Sequence, residues 1–115
     1  MRILVYNLMF NKMAAVTKAA GAVGAELINI KSDDIHKSIE SLFDSKKNSH
    51  PGKDSMENIK ELMIFEGFSS KQMDDFLAAY NSTGIPKVLF KAMVTPINAR
   101  WSPAYLYEHL IDEVQ

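Results

Sequence analysis

Strand-like and helix-like patterns alternate along this chain, and the same alternation occurs twice. Arg2 to Leu8 is mostly apolar and bounded by Asn7 and Asn11, which reads as a strand. Asn11 suits the cap of a helix running to about Val23, with Met13, Val16, Ala20 and Val23 on one side and Gly24 at its left-handed end. Leu27 to Lys31 reads as a second strand. Ser32 then caps a short helix whose apolar face is Ile35, Ile39, Leu42 and Phe43, the spacing of a one-sided amphipathic helix. In the second half Glu61 to Phe68 reads as a strand. Ser69 and Gln72 form a capping box, Phe68 and Met73 occupy the two positions of a hydrophobic staple, and the helix ends at Gly84 ahead of Pro86. Lys87 to Val94 is the fourth strand. Ser102 caps a last helix with Pro103 in its first turn and Leu106, Leu110 and Val114 facing inward.

Between the halves lies Ser45 to Ser55, a stretch without an apolar side chain and with a Pro51-Gly52 turn. The expected organisation is one α/β domain over residues 1–115, with pseudo-repeat halves at 1–44 and 57–115 and a linker at 45–56. The halves align with each other: Ile3-Leu4-Val5-Tyr6 with Leu62-Met63-Ile64-Phe65, then Gly24 with Gly84, Ile28 and Ile30 with Val88 and Phe90, and Lys31 with Lys91. Internal duplication explains this, and so does chance similarity of two βαβα units. Alternating elements imply a sheet covered by helices on its faces. The first and third strands are the most continuously apolar, which places them centrally in a four-stranded, mainly parallel sheet of order 2-1-3-4, with a pseudo-two-fold along the strands. The alternative is a ferredoxin-like mixed sheet, in which the third strand runs antiparallel to the first.

Composition narrows the function classes. Thirteen basic against fourteen acidic side chains give a net charge of −1, divided as +2 over residues 1–56 and −3 over 57–115. Neither half has the basic excess of a nucleic-acid or anionic-membrane binder. Lys46, Lys47 and Lys53 form only a short cluster without aromatics. There is no cysteine, which excludes disulfides, iron–sulfur clusters and thiol nucleophiles. The first apolar run is too short for a membrane span and lacks a small-residue cleavage pattern, so a cytoplasmic location is expected. His36, His50 and His109 have no second histidine at helical spacing, and there is no P-loop, nucleophile elbow or dinucleotide fingerprint. No metal site and no cofactor are expected.

Three places have the residue types for binding. In a parallel sheet, ligands sit where strand order reverses. That point would be lined by Asn7, Asn11, Glu66, Gly67, Ser69 and Ser70, beside two helix N-termini that attract anions. Ordinary capping explains Asn11, Ser69 and Ser70 equally well. Lys31 and Lys91, read as the ends of equivalent strands, suit a phosphate or carboxylate or an amine of lowered pKa. Asp33 and Asp34 suit magnesium or a helix dipole. Lys91 to Trp101 is the most unusual stretch: Lys91, Thr95, Asn98, Arg100 and Trp101 put a cation, a hydroxyl, an amide, a second cation and the only tryptophan in one connection. The local structural reading is a Thr95-Pro96 turn closed by Asn98, with Trp101 stapled to Leu106.

Gly67-Phe68-Ser69, Gly84-Ile85, Lys91-Ala92-Met93-Val94-Thr95, Asn98 and Trp101 together resemble a small bacterial family catalogued as domain of unknown function 3783. The likeness covers roughly residues 60–113, about half of the chain. It implies no activity. It makes Lys91, Thr95, Asn98 and Trp101 the candidates for a shared site or a shared folding motif.

Three functions follow as expectations. The first is a non-catalytic binding or regulatory module for a small anionic ligand or a protein partner, with Lys91, Thr95, Asn98, Arg100, Trp101, Asn7, Glu66 and Ser69 as the ligand-binding candidates. The second is a small enzyme with Lys91 and Glu66 as its working groups. The third is a structural homodimer subunit. The sequence names neither a ligand nor a reaction.

Overall fold

The computed structural model describes residues 1–31, 34–44 and 60–114. The expected linker and the cap at Ser32, with Asp33 beside it, lie outside the described residues. The elements are β1 (Arg2–Tyr6), α1 (Phe10–Val23), β2 (Glu26–Asn29), α2 (Ile39–Asp44), β3 (Leu62–Glu66), α3 (Ser70–Asn81), β4 (Lys91–Met93), a short 3-10 helix (Asn98–Arg100) and α4 (Pro103–Val114). One sheet joins both halves, in the expected order β2-β1-β3-β4.

The sheet is mixed. β2 is parallel to β1 and β4 is parallel to β3, while the central pair β1–β3 is antiparallel, with Leu4 opposite Ile64. Apolar pattern alone does not choose between the two arrangements, because both central strands are buried on both faces. Packing does. Antiparallel pairing puts α1 and α3 on the same face and in contact. There Ile3, Val5, Met63 and Phe65 from the sheet meet Val16, Ala19, Phe76 and Tyr80 in one core. Leu4, Leu62 and Ile64 point the other way, into a second core with Ile39, Phe43, Leu106 and Tyr107 of α2 and α4. The halves are thus related by rotation about an axis normal to the sheet, not along the strands.

This arrangement corrects the alignment between halves. Offsets of 59 would pair Ile3 with Leu62, residues on opposite faces; an offset of 60 pairs Ile3 with Met63 and Val5 with Phe65, on the same face. At that offset two left-handed positions also coincide, Asn7 (φ 58°) with Gly67 (φ 76°) and Gly24 (φ 77°) with Gly84 (φ 73°). Beyond the helices the offset becomes 64. Ile30 N–H donates to Val5 O as Val94 N–H donates to Phe65 O. Lys31 N–H donates to Asp34 Oδ2 (3.2 Å) as Thr95 N–H donates to Asn98 Oδ1 (2.8 Å). Lys31 therefore corresponds to Thr95. Lys91 opens β4 rather than ending it.

Local chemistry explains the boundaries. Ser69 and Gln72 close the capping box of α3 as expected. Ser102 Oγ accepts the Tyr105 amide at the start of α4. α1 begins at Phe10, with Met9 at its cap position and no side-chain cap; Asn11 Oδ1 instead accepts the next amide, Lys12 N–H. α2 is shorter than expected, because residues 34–37 form a turn, with Lys37 N–H donating to Asp34 O, ahead of the helix, yet Ile35, Ile39, Leu42 and Phe43 are all buried as the pattern required. β4 is short because Leu89 N–H, ahead of it, donates to the Glu61 carboxylate (2.6 Å).

Candidate functional site

Side chains alternate across a strand, so the first residue of β4 decides what its face can do. Lys91 lies opposite Met63 in the register and shares the α1–α3 face with it. A cleft of about 120 Å³ opens there, lined by the apolar Met63, Phe76, Leu77 and Val88, by the buried Tyr80, and by Asn81, Lys87 and Lys91. Lys91 Nζ donates to Val88 O at 3.0 Å. Among the described residues no carboxylate lies within ion-pair distance of it. Burial holds the Lys91 ammonium below the usual lysine range; the Lys87 and Lys12 charges push the same way, and Glu61 opposes them.

Behind the cleft sits a buried ion pair. Lys12 Nζ reaches both carboxylate oxygens of Glu61, at 3.0 and 2.8 Å. Tyr80 donates its hydroxyl to Pro86 O at 2.7 Å, and burial, reinforced by Glu61, raises its pKa. These bonds tie α1, β3, α3 and the segment before β4 around one polar centre. The cationic groups facing it outnumber the single carboxylate, so the cleft favours a compact anion with an apolar portion. Its volume is well below the roughly 300–1,000 Å³ of sites for larger ligands.

The sequence candidates separate. Thr95 and Asn98 are engaged with each other: Asn98 is buried, its side-chain Oδ1 accepts Thr95 N–H, its side-chain amide donates to Met93 O, and its backbone N–H donates to Thr95 Oγ1. Trp101 is on the opposite face of the sheet from Lys91, packed on the α2–α4 core and stacked on His109 with ring centroids 4.6 Å apart. Arg100 is exposed. The Lys91-to-Trp101 stretch therefore does not form one binding loop.

The strand-reversal site does not assemble either. It required β1 and β3 to be parallel, and in the antiparallel pair their C-terminal ends point to opposite edges. Asn7 donates to Lys60 O at one edge. Glu66, at the other, is gripped by Arg2 through both carboxylate oxygens. Arg2 also donates to Phe43 O, on the α2–α4 face. Glu66 is thus across the sheet from Lys91. Ser69 serves its capping box. Lys91 alone of the eight candidates lines the cleft.

Sequence reasoning missed Lys12, Glu61, Tyr80 and Lys87. One signal was present: Lys12 is in phase with Ala15, Val16 and Ala19, the buried stripe of α1. A lysine in such a stripe needs a buried partner.

Fold and cleft together define a small three-layer α/β domain with a cationic cleft on one helical face. The family model described as Domain of unknown function (DUF3783) matches residues 61–115, the segment that supplies every residue lining the cleft. No curated protein and no solved structure matches the chain. Among the described residues no group of histidines and carboxylates could hold a metal ion, and no helix is long and apolar enough to cross a membrane.

Proposed function

We infer that this chain is a non-catalytic binding module whose ligand is a small anion held between Lys87 and Lys91. One observation carries the reading: Lys91 is a half-buried cation beside apolar side chains, and its hydrogen bond goes to a backbone carbonyl, Val88 O, and not to a carboxylate. An anion there gains two cations in a partly desolvated setting, where attraction is stronger than in water. The test is a thermal-shift panel of short-chain carboxylates, phosphate and sulfate at constant ionic strength. A ligand at a hundred times its dissociation constant adds about 2.7 kcal/mol, which moves the melting temperature by several degrees. Lys91→Met should abolish the shift while leaving a folded protein. A shift unchanged in that variant removes the reading.

A second reading, a protein partner or homodimer, is supported by Met9, Phe10, Leu89 and Ile97, large apolar side chains more than half exposed. Light scattering over a concentration series tests it; a strict monomer with no partner counts against it. Internal duplication is supported by the 60-residue offset of Gly24 and Gly84 and by the matching side-chain bonds of Asp34 to Lys31 N–H and of Asn98 to Thr95 N–H. The family resemblance and the absence of cysteine support a bacterial, cytoplasmic setting.

A further inference from the structure

The Lys91 amine combines three properties that set it apart from an ordinary surface lysine. It begins a strand on the α1–α3 face of the sheet and is half-buried, lining the cleft with Met63, Phe76 and Val88. Its nitrogen uses one N–H on Val88 O. A neutral amine keeps that bond, and its second N–H and lone pair remain for a molecule in the cleft. The cleft lining also carries Lys87, a second cation beside the first. Glu61, the nearby carboxylate, is already occupied by Lys12 and the Leu89 amide.

We propose that Lys91 is a carbonyl-capturing residue, forming a reversible imine with a small 2-oxo acid or aldehyde acid whose carboxylate pairs with Lys87. This rests on the anion-binding reading and specifies its ligand class. The chemistry balances without a further reagent. The Lys91 ammonium first releases a proton to solvent. The free amine then adds to the carbonyl carbon; a proton passes from nitrogen to oxygen, giving a neutral carbinolamine. Loss of water leaves a C=N bond between Nζ and the former carbonyl carbon. The burial that lowers the Lys91 pKa enlarges the fraction of free amine near neutrality. The cleft volume of about 120 Å³ suits an acid of a few carbons.

The test uses the full chain with glyoxylate and sodium cyanoborohydride, which reduces the C=N bond to N-carboxymethyl-lysine. Peptide mass spectrometry then compares all eleven lysines. The expected result is labelling of Lys91 at least about tenfold above any other lysine, saturable in glyoxylate and absent in Lys91→Arg. Lys87→Met should erase the preference of Lys91 for glyoxylate over acetaldehyde, which lacks the carboxylate, without unfolding the chain. Even labelling across lysines overturns the proposal, as does a Lys91 label indifferent to Lys87. If butyrate raises the melting temperature through Lys91 but glyoxylate gives no selective label, imine formation fails while anion binding stands. If neither occurs, both fail.

Discussion

Lys12 on α1 and Glu61 just before β3 form an ion pair at 2.8 Å, their side chains only 11% and 7% exposed. The two residues are 49 positions apart, and the pair fastens the first half of the chain to the second behind the cationic cleft. A buried pair of this kind contributes little against an apolar pair of the same shape, but breaking it strands a charge.

Lys12→Met should therefore destabilise the protein by about 3–5 kcal/mol, read from urea denaturation. Glu61→Leu should cost more than Glu61→Gln. The glutamine oxygen can still accept the Leu89 amide, whereas leucine orphans both Leu89 N–H and Lys12. Equal costs for the two would mean that the Leu89 bond contributes nothing.

Asn98→Ala should cost about 1–2 kcal/mol, because it removes the buried side chain that holds the partly buried Thr95 amide and Met93 carbonyl. Arg100→Ala, two residues on and exposed, should be near neutral. A chemical-denaturation comparison of the pair separates an architectural role for this stretch from a ligand-binding one.

Trp101→Ala should lower stability by about 1–3 kcal/mol, less than a fully buried tryptophan, since the side chain is only partly buried and also packs on the exposed Tyr105 and His109 rings. It should leave anion binding at Lys91 unchanged, because the two side chains are on opposite faces of the sheet. Loss of binding in a folded Trp101 variant would contradict that separation.

Glu66 titrates below the usual 4.5, chiefly through its hydrogen bonds to Arg2, with the Arg2 and N-terminal charges adding and burial opposing. Its folded pKa is depressed, so its contribution to stability is complete above the unfolded value and lost as pH falls through the folded one. Glu66→Gln should flatten the loss of stability below about pH 4.5 and matter least there. An acid titration followed by circular dichroism checks this; an acid limb identical to the parent's would contradict it.

Element identity was legible in the sequence because each element carries local chemistry: the Ser69–Gln72 box, the Ser102 cap, and the Ile35, Ile39, Leu42 and Phe43 stripe. Strand order was legible too, since β1 and β3 are apolar on both faces. The direction of β3 against β1 was not. It depends on which faces α1 and α3 share, a long-range packing choice with no local signature, and the antiparallel outcome dissolved the expected site around Asn7 and Glu66. Lys91 was found from residue type, but its working neighbours were not. Lys12, Glu61 and Tyr80 come from three separate elements, and only the fold brings them behind the cleft.

The most direct test of the Lys87–Lys91 cleft is an amide NMR titration of the full chain with butyrate at fixed ionic strength and neutral pH. The expected result is saturable shifts concentrated at Asn81, Val88 and Lys91, absent in Lys91→Met and weakening as pH rises and the amine loses its proton. Shifts that do not saturate, or that gather instead at Trp101, Tyr105 and His109 on the opposite face, would contradict it.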